Sequence, residues 1–165
     1  MVSKFLQENK YSSLLLAGIR LFLGWKWFHA GWSKLASGGF DASGFLRGAV
    51  KKVSGEHPAV QPWWGEALEA VVLPNVEVFN VLIPWAEFLV GIGLIFGLFT
   101  SAAAFFGVVM NFAYMFSGSA GINPLMALLG IFLITAGWNA GKIGFDRWVI
   151  EYFRKRTGKS RSLTA

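Results

Sequence analysis

The chain of 165 residues contains no cysteine. That removes disulfides, thiol redox catalysis, thiolate metal sites and cysteine-ligated iron–sulfur clusters together. Any redox chemistry must therefore come from a bound cofactor, a diffusible quinone or a partner chain. Histidine is almost as scarce: only His29 and His57 are present, far apart, so no haem or metal centre is expected. Charge is sparse too, with 15% of residues charged against 55% hydrophobic. So few charges do not cover the surface of a soluble domain of this length, and the excess apolar area must face lipid.

What is abundant fits that setting. Twenty glycines and sixteen phenylalanines suit helices that touch closely through small residues and turn Phe toward acyl chains. The net charge of +6 is concentrated, not spread. Seven of the fifteen basic residues follow the last apolar segment: Lys142, Arg147, Arg154, Lys155, Arg156, Lys159 and Arg161. Lys and Arg massed beside a membrane-spanning end are the positive-inside signal, and nucleic acid is not the expected partner.

The apolar segments predict a single all-α membrane domain, an antiparallel bundle of four transmembrane helices. After a polar opening, the stretch 13–35 is about 23 residues long, enough to span, and no small-residue cleavage site follows it. A mixed outer loop, 36–78, carries the turn formers Gly38-Gly39, His57-Pro58 and Leu73-Pro74-Asn75. Two short amphipathic runs, 43–53 and 63–72, lie within it. Trp63-Trp64 beside Pro62 suits a segment lying at the membrane interface. Further spans are expected at 79–99, 100–117 and 124–141, with Thr100 or Ser101 capping the third and Pro124 opening the fourth. The tail reads as an interfacial helix over 145–156, followed by a disordered basic end, 159–165. An even number of spans, the basic tail and the acid-rich loop place both termini in the cytoplasm of a multi-pass plasma-membrane protein.

Ionisable groups inside a span cost several kcal/mol unless they face the bundle, pair or reach water, so each is a functional candidate. At 100° per residue, Arg20, Gly24, Trp27, Gly31 and Lys34 share one stripe of the first helix, while Lys26 and His29 point elsewhere. The second helix carries Glu87, with Asn80, Pro84 and Gly91 on its stripe. On the third, Ala104, Gly107, Asn111, Tyr114 and Gly118 align; on the fourth, Ala127, Gly130, Ile134, Gly137 and Gly141. Measured from the helix ends, Arg20 and Glu87 differ in depth by about 8 Å, within reach of a long guanidinium. Two readings of that pair stand side by side: a static ion pair between helices, or a site for a polar headgroup such as a quinone. Lys26 matches Glu87 better in depth but lies off the stripe. Trp25 and Trp27 are deep enough to line an aromatic pocket, although core or lipid-facing packing also explains them.

Several of these residues resemble the DoxX family of small bacterial membrane proteins, which includes the membrane subunit of thiosulfate:quinone oxidoreductase. The likeness runs from about Leu14 to Gly141. It rests on Arg20 with Trp27-Phe28-His29-Ala30-Gly31-Trp32-Ser33-Lys34-Leu35, on the run from Glu87 to Thr100, and on Asn111. The extended outer loop, with Trp63-Trp64 and Pro74-Asn75, looks like the longer, DoxD-type branch. The resemblance implies quinone-linked redox or oxidative-stress roles in a four-helix membrane protein. The thiosulfate enzyme has a second subunit, which this sequence does not contain.

These strands give a quinone-interacting subunit of a membrane oxidoreductase. Arg20 and Glu87 are the catalytic candidates: Arg20 holds a quinone oxygen, Glu87 moves the proton, and Asn111 donates a hydrogen bond. Trp27, Lys34 and Tyr114 complete the cofactor-binding set. The expected partners are the bilayer, a second redox subunit and a further copy of the chain. A non-catalytic scaffold of a redox or cell-envelope complex is the alternative. A small transporter is a third, weakened by the absence of inverted repeats.

Overall fold

Helix α2 (Lys10–Ala36) begins where Asn9 adopts an extended conformation and its side chain accepts from Tyr11 N at 2.7 Å. That satisfies one of the donors a helix start leaves free. The computed structural model describes residues 2–156, and its regular structure there is helical throughout. The polar opening is itself a helix, α1 (Val2–Glu8). Its end is closed from afar, because Asn139 Nδ2 donates to Leu6 O, Asn9 O and Ser12 Oγ at 2.8–3.1 Å.

Two short helices follow α2: α3 (Ser43–Lys51) and α4 (Pro62–Ala67). Asp41 accepts from both the Ser43 hydroxyl and the Ser43 N–H at the start of α3, and these bonds hold its carboxyl below the usual carboxylate range. The expected turn at Leu73-Pro74-Asn75 is absent. From α4 the backbone stays helical through a wide π turn (Leu68–Val72) and a tight 3-10 turn (Leu73–Asn75) into α5 (Val76–Phe96). Pro74 sits where the winding changes from wide to tight, inside the 3-10 turn. Asn75 Nδ2 caps Val71 O at 2.7 Å.

The turn from α5 into α6 (Thr100–Phe116) is sharp. Gly97 (φ 63°) and Phe99 (φ 50°) are both left-handed, a conformation that costs a residue with a Cβ. Neither Thr100 nor Ser101 caps α6, as the sequence predicted. The Asp146 carboxylate does so instead, accepting from Phe99 N at 2.6 Å and Thr100 N at 3.0 Å. After a turn comes α7 (Asn123–Ala136), with Pro124 in its first turn. The fourth apolar segment is broken at Gly137 (φ 54°, ψ −122°), so a separate α8 (Trp138–Gly141) precedes α9 (Asp146–Arg156). The expected disordered end lies outside the described residues.

The long helices pack in sequence, α2 on α5, α5 on α6 and α6 on α7, with α7 also touching α2. Gly24 lies against Gly91 and Ile95, and Gly31 against Pro84 and Phe88, so α2 and α5 run antiparallel with their backbones in contact. A methyl at Gly31 would meet the Phe88 Cα at 2.8 Å, which explains why that seam is built from glycine. The core between the helices contains Leu16, Leu23, Trp27, Leu94, Met126 and Leu133. A smaller cluster of Ala42, Leu46, Ala49 and Leu68 seats the α3–α4 arm on the end of the assembly. The outward faces are apolar and exposed: Leu14, Trp25, Trp32, Leu82, Leu89, Phe105 and Leu128 are each about half or more exposed. The 35-residue run Pro62–Phe96 is long and apolar enough to cross a bilayer; α6 and α7 are apolar but shorter.

Candidate functional site

Glu87 sits mid-way along α5, one turn past Pro84, and is 1% exposed. An ionised carboxylate so buried requires charged or hydrogen-bonding partners. It has two. Lys34, in the last turn of α2, reaches back along its helix to place Nζ 2.5 Å from Oε2. Tyr114, on α6, donates its hydroxyl to Oε1 at 2.6 Å. The three groups come from three helices and meet side chain to side chain.

The surroundings of the triad are asymmetric. Lys34 is one-quarter exposed, and its ammonium lies 5.5 Å from the centre of the Phe40 ring. Tyr114 lines a cleft of about 300 Å³ between α5, α6 and the α3–α4 arm. Its walls are almost wholly apolar, with Leu46, Leu68, Phe79, Ile83 and Met110 among them. Leu82 and Val109 on its rim are exposed on the outer face of the helices. Trp64 Nε1 crosses the arm side of the cleft to Ser117 Oγ at 3.0 Å, and Lys52 Nζ reaches Gly118 O at 3.1 Å.

Arg20 is not part of this site. It is 4% exposed and donates to Ala140 O at 3.1 Å and Ile143 O at 2.5 Å, at the end of α8. The expected Arg20–Glu87 pairing fails because helix ends are not level. Arg20 lies beside Gly97, at the far end of α5, ten residues or about 15 Å from Glu87. The first turns of α2 project past α5 and are covered by α1, α7 and α8 instead. Lys26 does not pair with Glu87 either; it is exposed, with its ammonium 5.9 Å from the Phe22 ring.

Trp27 is buried in the core, with Nε1 facing bare Gly107, and does not line the cleft. Asn111 is 1% exposed and one turn from Tyr114 on the same helix, yet its Oδ1 has no hydrogen-bond partner. It too stands off the cleft wall. Of the predicted set, the structure therefore brings together Lys34, Glu87 and Tyr114. Sequence reading missed Asp146, whose carboxylate caps α6 beside Arg20. Its one signal was an acid opening a strongly basic tail helix. Among the described residues no group of three His, Cys, Asp or Glu side chains is placed to hold a metal ion.

The DoxX family model matches residues 15–120, well over half of the chain. The chain belongs to the DoxX family. It is accordingly a helical protein of a membrane family. The matched residues contain Arg20, Lys34, Glu87, Asn111 and Tyr114, whereas Arg20's partners Ala140 and Ile143 lie beyond them. No curated protein and no solved structure matches the chain.

Proposed function

We propose that this DoxX chain is a quinone-interacting subunit of a membrane oxidoreductase, crossing the bacterial plasma membrane four times with both ends in the cytoplasm. One observation carries the reading: Tyr114 lines an apolar cleft, and its hydroxyl is wired through Glu87 to the part-exposed Lys34. The four spans are α2, α5, α6 and the α7–α8 pair. Their exposed faces are rich in Leu, Trp and Phe, as lipid contact requires, and the basic α9 end supports a cytoplasmic side there. Lys34 and the α3–α4 arm then face outward.

The cleft residues fit the group. Apolar walls suit a flat ring with a prenyl tail, and exposed Leu82 and Val109 put the cleft rim on the lipid side. A bound quinone supplies two-electron, two-proton redox chemistry. Tyr114 orients a ring oxygen by hydrogen bonding. Glu87 holds or takes up a proton through Tyr114, and Lys34 passes it to water at the outer end of α2. A chain without cysteine has no thiol or iron–sulfur relay of its own, so electrons come from a second redox subunit; the DoxD-like arm favours a thiosulfate-linked one. Scaffolding is the second reading, favoured by Arg20, a buried cation whose two terminal nitrogens donate to backbone carbonyls.

The test is a titration of the purified chain in lipid nanodiscs with a short-tailed benzoquinone couple. Saturable binding of either redox form, weakened by Tyr114→Phe, is expected. Absence of saturable binding for both forms removes the quinone reading and leaves the scaffold.

A further inference from the structure

The polar side chains among the residues that line the cleft are few, and their hydrogens are already taken. Tyr114 gives its O–H to Glu87 at 2.6 Å. Ser117 gives its O–H to Ala113 O at 2.8 Å, and Trp64 gives its indole N–H to Ser117 Oγ at 3.0 Å. Among the described residues that line the cleft, no side-chain N–H or O–H is left to donate. Lys34 keeps hydrogens to spare but lies beyond Glu87 and does not reach the wall. Lone pairs do remain, one on the Tyr114 oxygen and one on Ser117 Oγ.

A cleft that accepts but does not donate treats the two redox forms of a quinone differently. The oxidised ring presents carbonyl oxygens, which need donors; the reduced ring presents hydroxyls, which bring their own. Placing a carbonyl in an apolar cleft with no donor forfeits the hydrogen bonds that it had with water. We propose that this cleft selects the hydroquinone form, with one ring hydroxyl donating to Tyr114 Oη, and that the Glu87–Tyr114 bond sets this selectivity. The inference rests on the quinone reading of the site and adds the redox form that it holds. Glu87 is here a positioning residue, acting through the direction in which it turns the Tyr114 hydrogen.

The experiment compares affinities of the full-length chain in nanodiscs, under anaerobic conditions, for a short-tailed benzoquinone and for its hydroquinone. The hydroquinone is expected to bind about tenfold tighter, the worth of one net hydrogen bond. A tenfold preference also raises the midpoint potential of the bound couple by about 30 mV, an independent reading on the unaltered protein. The double change Lys34→Met with Glu87→Leu removes the acceptor and its counter-charge together, freeing the Tyr114 hydrogen. It is expected to bring the affinity ratio to unity or below. Because the readout is a ratio within one preparation, a partial loss of folded protein does not imitate it. Equal affinities in the unaltered chain, or a ratio that survives the double change, overturn the inference while the quinone reading stands. Binding of neither form overturns both.

Discussion

In the first half of α2, a buried Arg20 donates to the carbonyls of Ala140 and Ile143, and nearby Asp146 accepts from the N–H groups of Phe99 and Thr100. Where α2 ends, a buried Glu87 is held by the side chains of Lys34 and Tyr114. The first region places its charges on backbone, tying the segment after α8 to the α5–α6 turn, which the bonds Phe145 N–Phe96 O and Asp146 N–Gly97 O reinforce. The second places its charge on side chains, one of which, Tyr114, borders a cleft. Groups fixed to backbone hold a fold; groups fixed to one another beside a cavity are available for chemistry. The contrast gives the two regions different proposed roles, glue and site, a distinction that the residue types alone left open.

The largest effect is expected at the first region. Arg20→Met leaves two helix-end carbonyls without donors and Asp146 without the nearby cation, and should lower the unfolding free energy by about 3–5 kcal/mol. Denaturant titration in detergent measures it. If the loss is no greater than for Lys26→Met, whose side chain is exposed, the clasp has no structural weight. The second region should respond less, because Lys34 can turn to water. Glu87→Gln is expected to cost about 1–3 kcal/mol, and Lys34→Met added to it should restore most of that. Arg20→Met added to Glu87→Gln should instead be additive, since the two residues do not touch. Non-additivity of the Arg20 and Glu87 changes would mean that the two ends are one network, and the contrast would collapse.

What the sequence made legible follows from period and punctuation. The small-residue stripes placed Gly31 and Gly91 on facing seams, and Pro124 marked the start of α7 within a residue. The stripe on α6 put Tyr114 inside the assembly, and Lys34 shared the inner stripe of α2 with Trp27 and Gly31. The partnership of Glu87 was lost because depth was measured from helix ends taken as level. Register between two helices is set by the glycine seam, which fixes Gly31 against Phe88 and so carries Lys34, not Arg20, to Glu87. Pro74 read as a turn because proline usually ends helices; a change of winding around it, with Asn75 bonding back to Val71, kept the helix running. Asp146 was invisible because its partners are backbone groups 46 and 47 residues away, which no side-chain pattern marks.

The smallest effect tests whether the cleft is fixed at the arm. Trp64 Nε1–Ser117 Oγ is a single, part-buried hydrogen bond between the α3–α4 arm and the end of α6. Trp64→Phe keeps an aromatic ring tilted against Phe116 and removes the donor. The stability cost should be about 0.5–1.5 kcal/mol, well below that at either charged region. Amide exchange should quicken across the π and 3-10 turns, 68–75, whose irregular winding offers the weakest resistance to local opening. The α2–α5 seam, held by backbone contact, should keep its protection. Ser117 Oγ also regains a lone pair, so affinity for a hydroxyl-bearing ring should not fall. Faster exchange along α2 as well would show that the arm and the long helices open as one unit, and the cleft would then have no independently movable wall.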